Sequence, residues 1–342
     1  MEELEIVLAS DAPGIGTAGQ RVTLALQPQD VHDPSEIPTY LAGYSPFQYR
    51  ADEASKAVLV DQDEDKYRQF DSDDAFEPVA VKGSTQGAVP EVDPKSDLTS
   101  YKVVERYVGS FIPAQTQAQA SNPNYDPRMA AARRCRRALQ LDREIDVWTL
   151  LTTVGNWTAA NVNAAPAVWT GASDPIKDLQ DLMEESAQEI TEFWMNQKVA
   201  NAFLRNASVK DHMRQFLGDG PANGAVRDVQ NAGTRPVDFA IPGLPPIRVA
   251  AAKRKTAPGV LSYVLSDVVV GLTTIPGVPV DGEEIATSWT FRRRGPSGTG
   301  FESREFFVPG RGPQGGTMVV VSQADIAVFT ASNAGGLITG VV

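Results

Sequence analysis

Residues 169–218 constrain the fold of this chain more than any other segment. Asp174 followed by Pro175 is typical of a helix start, because the aspartate can accept a hydrogen bond from the first turn and proline fits at the first helical position. Beyond that start, apolar residues recur at steps of three and four, which predicts a helix with one buried face. These residues are Ile176, Leu179, Leu182, Met183, Ala187 and Ile190.

The same segment continues as a strand and two shorter helices. Residues 193–195 predict a short apolar strand, Asn196 is the expected cap of the next helix, and Ser208 is the expected cap of the last one, which ends at Gly218. Helical and strand-like pieces that alternate over one segment predict an α+β fold. Nothing in the segment is patterned like a catalytic site.

Composition disfavours several classes of protein. The chain has 342 residues and a formal charge of −12, from 31 basic and 43 acidic side chains, and this sign disfavours a dedicated nucleic-acid binder. The length is enough for a large core in two lobes. Cys135 is the only cysteine, so one chain forms neither a disulfide framework nor a cysteine zinc site. Neither a signal peptide nor a membrane span is recognisable, which predicts a soluble protein made in the cytoplasm.

The N-terminal part of the chain is expected to be extended. Residues 1–60 are rich in glycine and proline and lack helical periodicity, so they should lie along the body of the chain or along a neighbouring chain. An acidic patch follows at residues 61–65. Strand-like residues 79–81 and 101–108 flank a stretch rich in glycine, serine and proline, which predicts a protruding hairpin.

The longest helix is expected at residues 128–154. Asp126 is the expected cap, Pro127 the first residue, and Gly155 the end, while Asp142 interrupts the apolar stripe. At a rise of about 1.5 Å per residue, this helix spans roughly 40 Å and suits a structural spine. The C-terminal third is expected to be rich in strands, and further strands are predicted before it. The predicted strands are residues 247–251, 263–270, 284–291, 301–308, 317–321 and 326–330.

No residue pattern predicts a catalytic residue, a cofactor or a metal. His32 and His212 are the only histidines, and nothing marks either as a general base. The acidic patch differs from a calcium loop because Lys66 stands where that loop requires glycine and Ser72 where it requires a glutamate. The glycines at 218–224 follow no strand, unlike a dinucleotide-binding loop.

Two arginine clusters are the candidate contact residues. One lies at the start of the long helix and the other beside a glycine turn, and each is open to three readings: nucleic acid, a neighbouring subunit's acidic patch, or solvent. For the second cluster we favour a subunit contact, because guanidinium groups pair with carboxylates in two-point geometry. The residues are Arg133, Arg134, Arg136 and Arg137 in the first cluster and Arg292, Arg293 and Arg294 in the second.

Three local patterns carry a resemblance to a known family. They are Trp169 followed by Ser-Asp-Pro-Ile at 173–176, the two short helices at 196–205 and 208–217, and the ending from residues 323–328 through 334–342. Each is similar to a part of the major capsid proteins of tailed phages with the Hong Kong 97-type fold, in particular the branch of the lambda coat protein (major capsid protein E). The order of parts matches along the whole chain.

The resemblance implies a division of the chain and a role. It implies an N-terminal arm at 1–58, an extended hairpin loop (E-loop) at 59–108, a peripheral domain at 109–172, an axial domain at 173–280 and a β-rich return at 281–342. It further implies a structural protein, not an enzyme, whose hexamers and pentamers form an icosahedral shell around double-stranded DNA. The implied location is the virion, after assembly in the host cytoplasm.

The implied partners are further copies of the chain, a separate scaffolding protein, a portal, a decoration protein in some shells, and DNA through weak non-specific contact, without a membrane. Lys66, Lys82 and Lys95 match no crosslinking position of the family, so no crosslink is predicted. Alternatives are a nanocompartment shell (encapsulin), a carbohydrate-active hydrolase, and another virion component. A tail or DNA on purified particles would favour phage, and a paired-carboxylate pocket would favour a hydrolase.

Overall fold

The computed structural model describes residues 31–32, 49–70, 96–119, 126–165, 168–169, 173–217, 238–275, 285–295, 300–311 and 314–342. These residues form an α+β fold in which one long helix lies against two sheets. The helices are α1 Ala51–Ala54, α2 Ala114–Gln119, α3 Pro127–Thr152, α4 Pro175–Glu185, α5 Gln197–Arg205 and α6 Ala207–Leu217.

The strands of the described residues belong to two large sheets and two separate ribbons. They are β1 Val31–His32, β2 Lys56–Val60, β3 Glu64–Phe70, β4 Ser96–Lys102, β5 Val104–Pro113, β6 Val162–Ala164, β7 Glu192–Asn196, β8 Ile247–Ala250, β9 Lys253–Ala257, β10 Val260–Tyr263, β11 Val269–Leu272, β12 Ser288–Arg293, β13 Phe301–Val308, β14 Gly316–Phe329 and β15 Gly335–Thr339.

The six-stranded sheet is built around β14. Its order is β1-β13-β14-β12-β2, and β5 pairs with β14 as well. All pairs are antiparallel except β12 with β2, which is parallel. The five-stranded sheet has the order β6-β15-β11-β7-β8, with parallel pairs at both margins. The remaining strands form the antiparallel ribbons β3–β4 and β9–β10.

The long helix α3 contacts both sheets. Asp126 caps it by accepting a hydrogen bond from the backbone of Arg128 at 2.8 Å, as the sequence predicts. Its N-terminal half packs Cys135 and Leu139 against the six-stranded sheet. Its C-terminal turns pack Trp148 and Leu151 against the five-stranded sheet. The helix therefore joins the two halves of the fold.

The five-stranded sheet is covered on both faces. Along β7, Phe193 and Met195 share a core with helices α4, α5 and α6, whereas Trp194 shares one with α3. Successive strand residues point to opposite faces of a sheet. A strand buried on both faces reads as a continuous apolar run, which is why this strand is recognisable in the sequence.

Two facing glycines allow helix α4 to lie close to this sheet. Gly271 of β11 is paired with Gly336 of β15. A Cβ atom on Gly336 would lie 2.5 Å from Leu182 Cδ1, and one on Gly271 would lie 2.9 Å from Ile190 Cδ1. The small-residue ending of the chain is therefore required by packing.

The local sequence predictions around α4 to α6 are right in part. Asn196 caps α5 by accepting from the backbone N–H of Val199 at 2.8 Å, as expected. The prediction that Ser208 caps α6 is wrong: Asn206 takes that place, and its Oδ1 accepts from the Ser208 N–H at 2.9 Å. Helix α4 ends at Glu185 instead of continuing through Ile190.

Other boundaries differ as well. Strand β14 runs unbroken where two strands at 317–321 and 326–330 were expected, and α3 ends at Thr152. The expected strand at 263–270 is replaced by the end of β10 and the start of β11. The first strand of the antiparallel ribbon β3–β4 begins at Glu64, at the end of the acidic patch, while the expected arm at 79–81 lies outside the described residues.

The predicted domain boundaries after residues 58 and 108 fall inside β2 and β5. Both strands belong to the six-stranded sheet, so part of the expected arm and part of the expected hairpin loop belong to this sheet. The division into arm, hairpin loop, peripheral and axial domains stays a prediction.

Candidate functional site

The arginine triplet lies where β12 meets the base of the β3–β4 ribbon. Arg292 is buried. Arg293 places Nη1 3.2 Å from Asp63 Oδ2, and Arg294 places Nε 3.6 Å from Asp61 Oδ1. The carboxylates of the acidic patch that we expected on a neighbouring subunit are thus supplied here by the same chain.

The helix cluster is divided by the helical period. Arg136 is buried, with its guanidinium carbon 4.2 Å from the ring centre of Phe301, an arrangement in which the cation is attracted to the ring face. Arg134 and Arg137 are exposed, and Arg133 is half-buried. Contact of this cluster with DNA or with a neighbouring subunit stays a prediction. Because Arg136 lies in the interior, the predicted contact would be made by Arg133, Arg134 and Arg137.

A buried ion network joins α3 to the six-stranded sheet, and sequence reasoning missed it. Its centre is Asp325 of β14, which is 2% exposed. Asp325 Oδ1 accepts from Arg106 Nη1 at 2.8 Å, Asp325 Oδ2 accepts from Arg143 Nη1 at 3.0 Å, and Arg292 Nη2 lies 3.7 Å away. Arginines from β5, α3 and β12 therefore meet one carboxylate. A carboxylate so deep in the interior requires such partners.

One sequence signal pointed at this network. The apolar stripe of the long helix is interrupted at Asp142, whose Oδ2 lies 3.2 Å from Arg106 Nε. A carboxylate in an apolar stripe indicates a cation on the facing element. The sequence alone did not tell which cation it was.

A second charged cluster lies beside the five-stranded sheet. Asp238 accepts from Arg50 Nη2 at 2.8 Å and from Arg248 Nη1 at 2.7 Å. The Arg50 guanidinium also stacks 4.9 Å from the ring of Trp194, whose Nε1 donates to Glu192. Burial alone would raise the pKa of Asp238, but these hydrogen bonds outweigh it and hold that pKa below its ordinary 3.8. Arg50 thereby ties the start of α1 to the five-stranded sheet.

The base of the β3–β4 ribbon rests on an aromatic cluster. The rings of Tyr101 and Phe291 stack with their centres 4.2 Å apart, and Tyr67 lies 5.8 Å from Phe291. Leu98, farther along the ribbon, is 63% exposed. The ribbon is therefore anchored at one end and presents an apolar side chain to solvent farther out.

The described residues contain no group of three or more histidine, cysteine, aspartate and glutamate side chains placed to hold a metal ion. His212 Nε2 lies 3.1 Å from the carbonyl oxygen of Pro242. Cys135 is buried, which raises the pKa of its thiol to about 11 and disfavours the reactive thiolate. None of the described helices is long and apolar enough to cross a membrane.

Comparison with known sequences gives no match, either among protein-family models or among curated proteins. Solved structures do match over most of the chain. A phage-related protein from Bordetella bronchiseptica RB50 has a TM-score of 0.64 at 17% identity, covering 90% of this chain and 96% of that one.

Two further structures extend this likeness. A protein assigned as a prophage capsid protein in Escherichia coli CFT073 has a TM-score of 0.54 at 11% identity, covering 90% of this chain and 99% of that one. The capsid of an empty GTA particle has a TM-score of 0.51 at 14% identity, covering 86% and 91%. The chain therefore has the α+β fold of Hong Kong 97-type phage capsid structures.

Proposed function

We propose that this chain is the major capsid protein of a tailed phage or prophage. Its copies assemble through hexamers and pentamers into an icosahedral head around double-stranded DNA. One observation carries the proposal: the capsid fold covers 90% of this chain together with 96% and 99% of the Bordetella and Escherichia proteins. The likeness thus extends to a whole subunit and is not confined to a shared motif.

The outlying parts of the chain support an assembling role. A ribbon of two strands is marginally stable alone in water, and its free edges can pair with another chain. The described residues contain two such ribbons, β3–β4 and β9–β10. A closed shell supplies the missing contacts from other copies under symmetry.

In this proposal the parts implied by the resemblance have separate tasks. The arm (1–58) and hairpin loop (59–108), apart from the strands that they contribute to the six-stranded sheet, reach neighbouring subunits. The axial domain (173–280) surrounds the ring centres, and the peripheral parts (109–172 and 281–342) make the local contacts. The area buried per subunit would far exceed the roughly 1,600 Å² of an ordinary interface. We further propose membership in the lambda-like branch, and the local patterns at Trp169 and at the chain ending support it.

The proposed location is the virion, after assembly in the host cytoplasm. The proposed partners are a separate scaffolding protein, a portal and, in some shells, a decoration protein. DNA contact would be weak and non-specific, because a subunit with a formal charge of −12 repels phosphate except at local arginines. The role is structural and needs no cofactor.

Negative-stain electron microscopy of the full-length protein tests the proposal. We expect closed shells, or tubes and sheets built from the same rings, and dispersed single subunits under every ionic condition would contradict it. Particles isolated from the source organism distinguish a phage head from a nanocompartment shell. Nuclease-protected DNA or an attached tail indicates a phage, whereas an enclosed enzyme indicates a nanocompartment.

A truncation tests the role of the arm. Removing residues 1–48 deletes most of the predicted arm but keeps Arg50 and its bond to Asp238. We expect a folded, soluble protein that no longer closes shells, measured by circular dichroism and microscopy. Normal shells from this variant would contradict the task given to the arm.

A further inference from the structure

The β9–β10 ribbon is an exposed hairpin that pairs only with itself within the described residues. Its turn contains Gly259, whose φ of +77° is readily adopted by glycine. All residues from 253 to 261 are exposed. The ribbon therefore projects from the body, and neither of its outer edges pairs with another described strand.

One face of this ribbon combines positive charge with apolar surface. Cross-strand pairing places Lys253 opposite Tyr263 and Lys255 opposite Leu261. Lys253 Nζ lies 4.7 Å from the Tyr263 ring centre, and Leu261 is 67% exposed. Within the described part of the chain, neither lysine nor the adjacent Arg254 forms a salt bridge with a carboxylate.

The ribbon is held firmly at its base. Val264 N donates to the carbonyl of Ala252 at 2.9 Å. Just beyond, Asn196 Nδ2 donates to the carbonyl of Ser266 at 3.0 Å and to Asp267 Oδ1 at 2.8 Å. A surface fixed in advance loses less conformational freedom on binding, so this geometry is better suited to a contact than a mobile loop would be.

The same half of the fold carries a complementary acidic surface on helix α4. Residues three and four apart on a helix share a face. Three acidic residues with this spacing form the surface, and none of them has a salt-bridge partner among the described residues. They are Asp181, Glu184 and Glu185. Helix α4 packs over β15 through Leu182, whereas the ribbon continues from β8.

The two charged surfaces lie toward opposite margins of the five-stranded sheet. Strands β11 and β7 separate β15 from β8, so three strand spacings of about 4.8 Å, or roughly 14 Å, lie between them. Surfaces that are complementary but located at opposite margins favour contact between two copies in head-to-tail fashion, and such contacts generate rings when the rotation closes.

We infer that the β9–β10 ribbon of one copy docks on the acidic face of helix α4 of the next copy within a ring. The lysines meet the carboxylates, and Leu261 is covered at the contact. The inference rests on the proposed function, because it specifies one contact by which subunits of a shell associate.

Charge reversal tests this contact in the full chain. One variant carries Lys253→Glu and Lys255→Glu, a second carries Asp181→Lys and Glu184→Lys, and a third carries all four changes. Each of the first two should lower the yield of sedimenting particles at least about tenfold, because like charges then face each other, and the third should recover to within about twofold of the unmodified chain. The matched control reverses Lys210 and Arg214 on α6 to glutamate and should assemble normally.

Circular dichroism of the unassembled variants separates failed contact from failed folding. If the unmodified chain forms particles and the first two variants do so equally well, the docking inference is wrong and the proposed function stands. If the fourfold variant folds but does not recover, the inference is also wrong. Loss of bound DNA with intact particles would assign the ribbon to phosphate and overturn the inference. An unmodified chain that never associates overturns both proposals.

Discussion

The long helix is attached to its two sheets in two different ways. Toward the six-stranded sheet an ionic contact accompanies the apolar packing, with Asp325 of β14 between Arg143 of the helix and Arg106 of β5. Toward the five-stranded sheet the contact is aromatic and aliphatic, with the rings of Trp148 and Trp194 5.3 Å apart. One helix thus combines packing with a directional ionic network on one side and uses aromatic and aliphatic packing on the other.

The difference concerns specificity as much as energy. Apolar packing responds to volume and shape and tolerates substitutions that conserve them. A buried carboxylate between arginines is stable only when each partner is in place, and it is strongly destabilised when one is removed. We therefore interpret the ionic contact as the one that fixes how β14 registers against the helix, and the apolar contact with the five-stranded sheet as one that depends on side-chain volume and shape.

The largest effect is expected from Asp325→Ala. This change leaves the buried Arg143 and the nearby Arg106 without their shared carboxylate, at a cost of about 4 kcal/mol in the free energy of unfolding. Urea unfolding of the unassembled chain measures it. The control replaces Asp325 together with Arg143, the most deeply buried of its three arginines, as Asp325→Leu with Arg143→Met, and should lose less than the single change. Equal losses would contradict the network interpretation.

A slightly smaller effect is expected on the apolar side from Leu151→Ala. Leu151 is fully buried between α3 and the five-stranded sheet, and truncation leaves a cavity that costs about 3 kcal/mol. The control Leu151→Met conserves volume and should cost less than about 1.5 kcal/mol. If the alanine and methionine variants lose the same free energy of unfolding, close packing does not attach the helix to the five-stranded sheet.

The smallest effect is a pH dependence from Glu144, which lies on α3 between the two attachments. Burial raises its pKa above the ordinary 4.5, although Trp148 Nε1 and the backbone N–H of Ala51 donate hydrogen bonds to it. The folded state therefore binds this proton more tightly than the unfolded state. The contribution of Glu144 is greatest below pH 4.5 and is lost as the pH rises through the folded pKa.

Comparison with Glu144→Gln isolates the pH dependence of stability that Glu144 causes. The stability of the unmodified chain minus that of the variant should fall as the pH rises from 4.5. Asp238, whose pKa is lowered, loses its contribution only below its ordinary 3.8 and does so in both proteins, so it cancels in the difference. A difference that stays flat or rises with pH would contradict the assignment.

The parts of the fold that the sequence predicts are those determined by interactions between residues close together in the sequence. Asp126 and Asn196 cap their helices because a side-chain acceptor stands beside the first turn. The failure at Ser208 is also local: Asn206 stands two residues earlier and competes for the same backbone donors. Ile190 follows the helical period, yet it enters the core from a loop after α4.

The parts that the sequence did not predict depend on distant partners. The predicted break in β14 falls on residues 322–325, which include the polar residues Gln323 and Asp325. Both are buried, because arginines far along the chain surround Asp325. The sequence also did not show that Arg293 and Arg294 of the same chain lie beside the acidic patch, which we had expected to pair with a neighbouring subunit. Only the assembled sheet brings these groups together.

Sedimentation velocity of the purified full-length chain over a range of concentrations tests the central claim most directly. The account predicts rings and closed particles that form at the expense of single subunits as concentration rises. A single slow boundary, with the mass of one chain at every concentration and salt level, would contradict it.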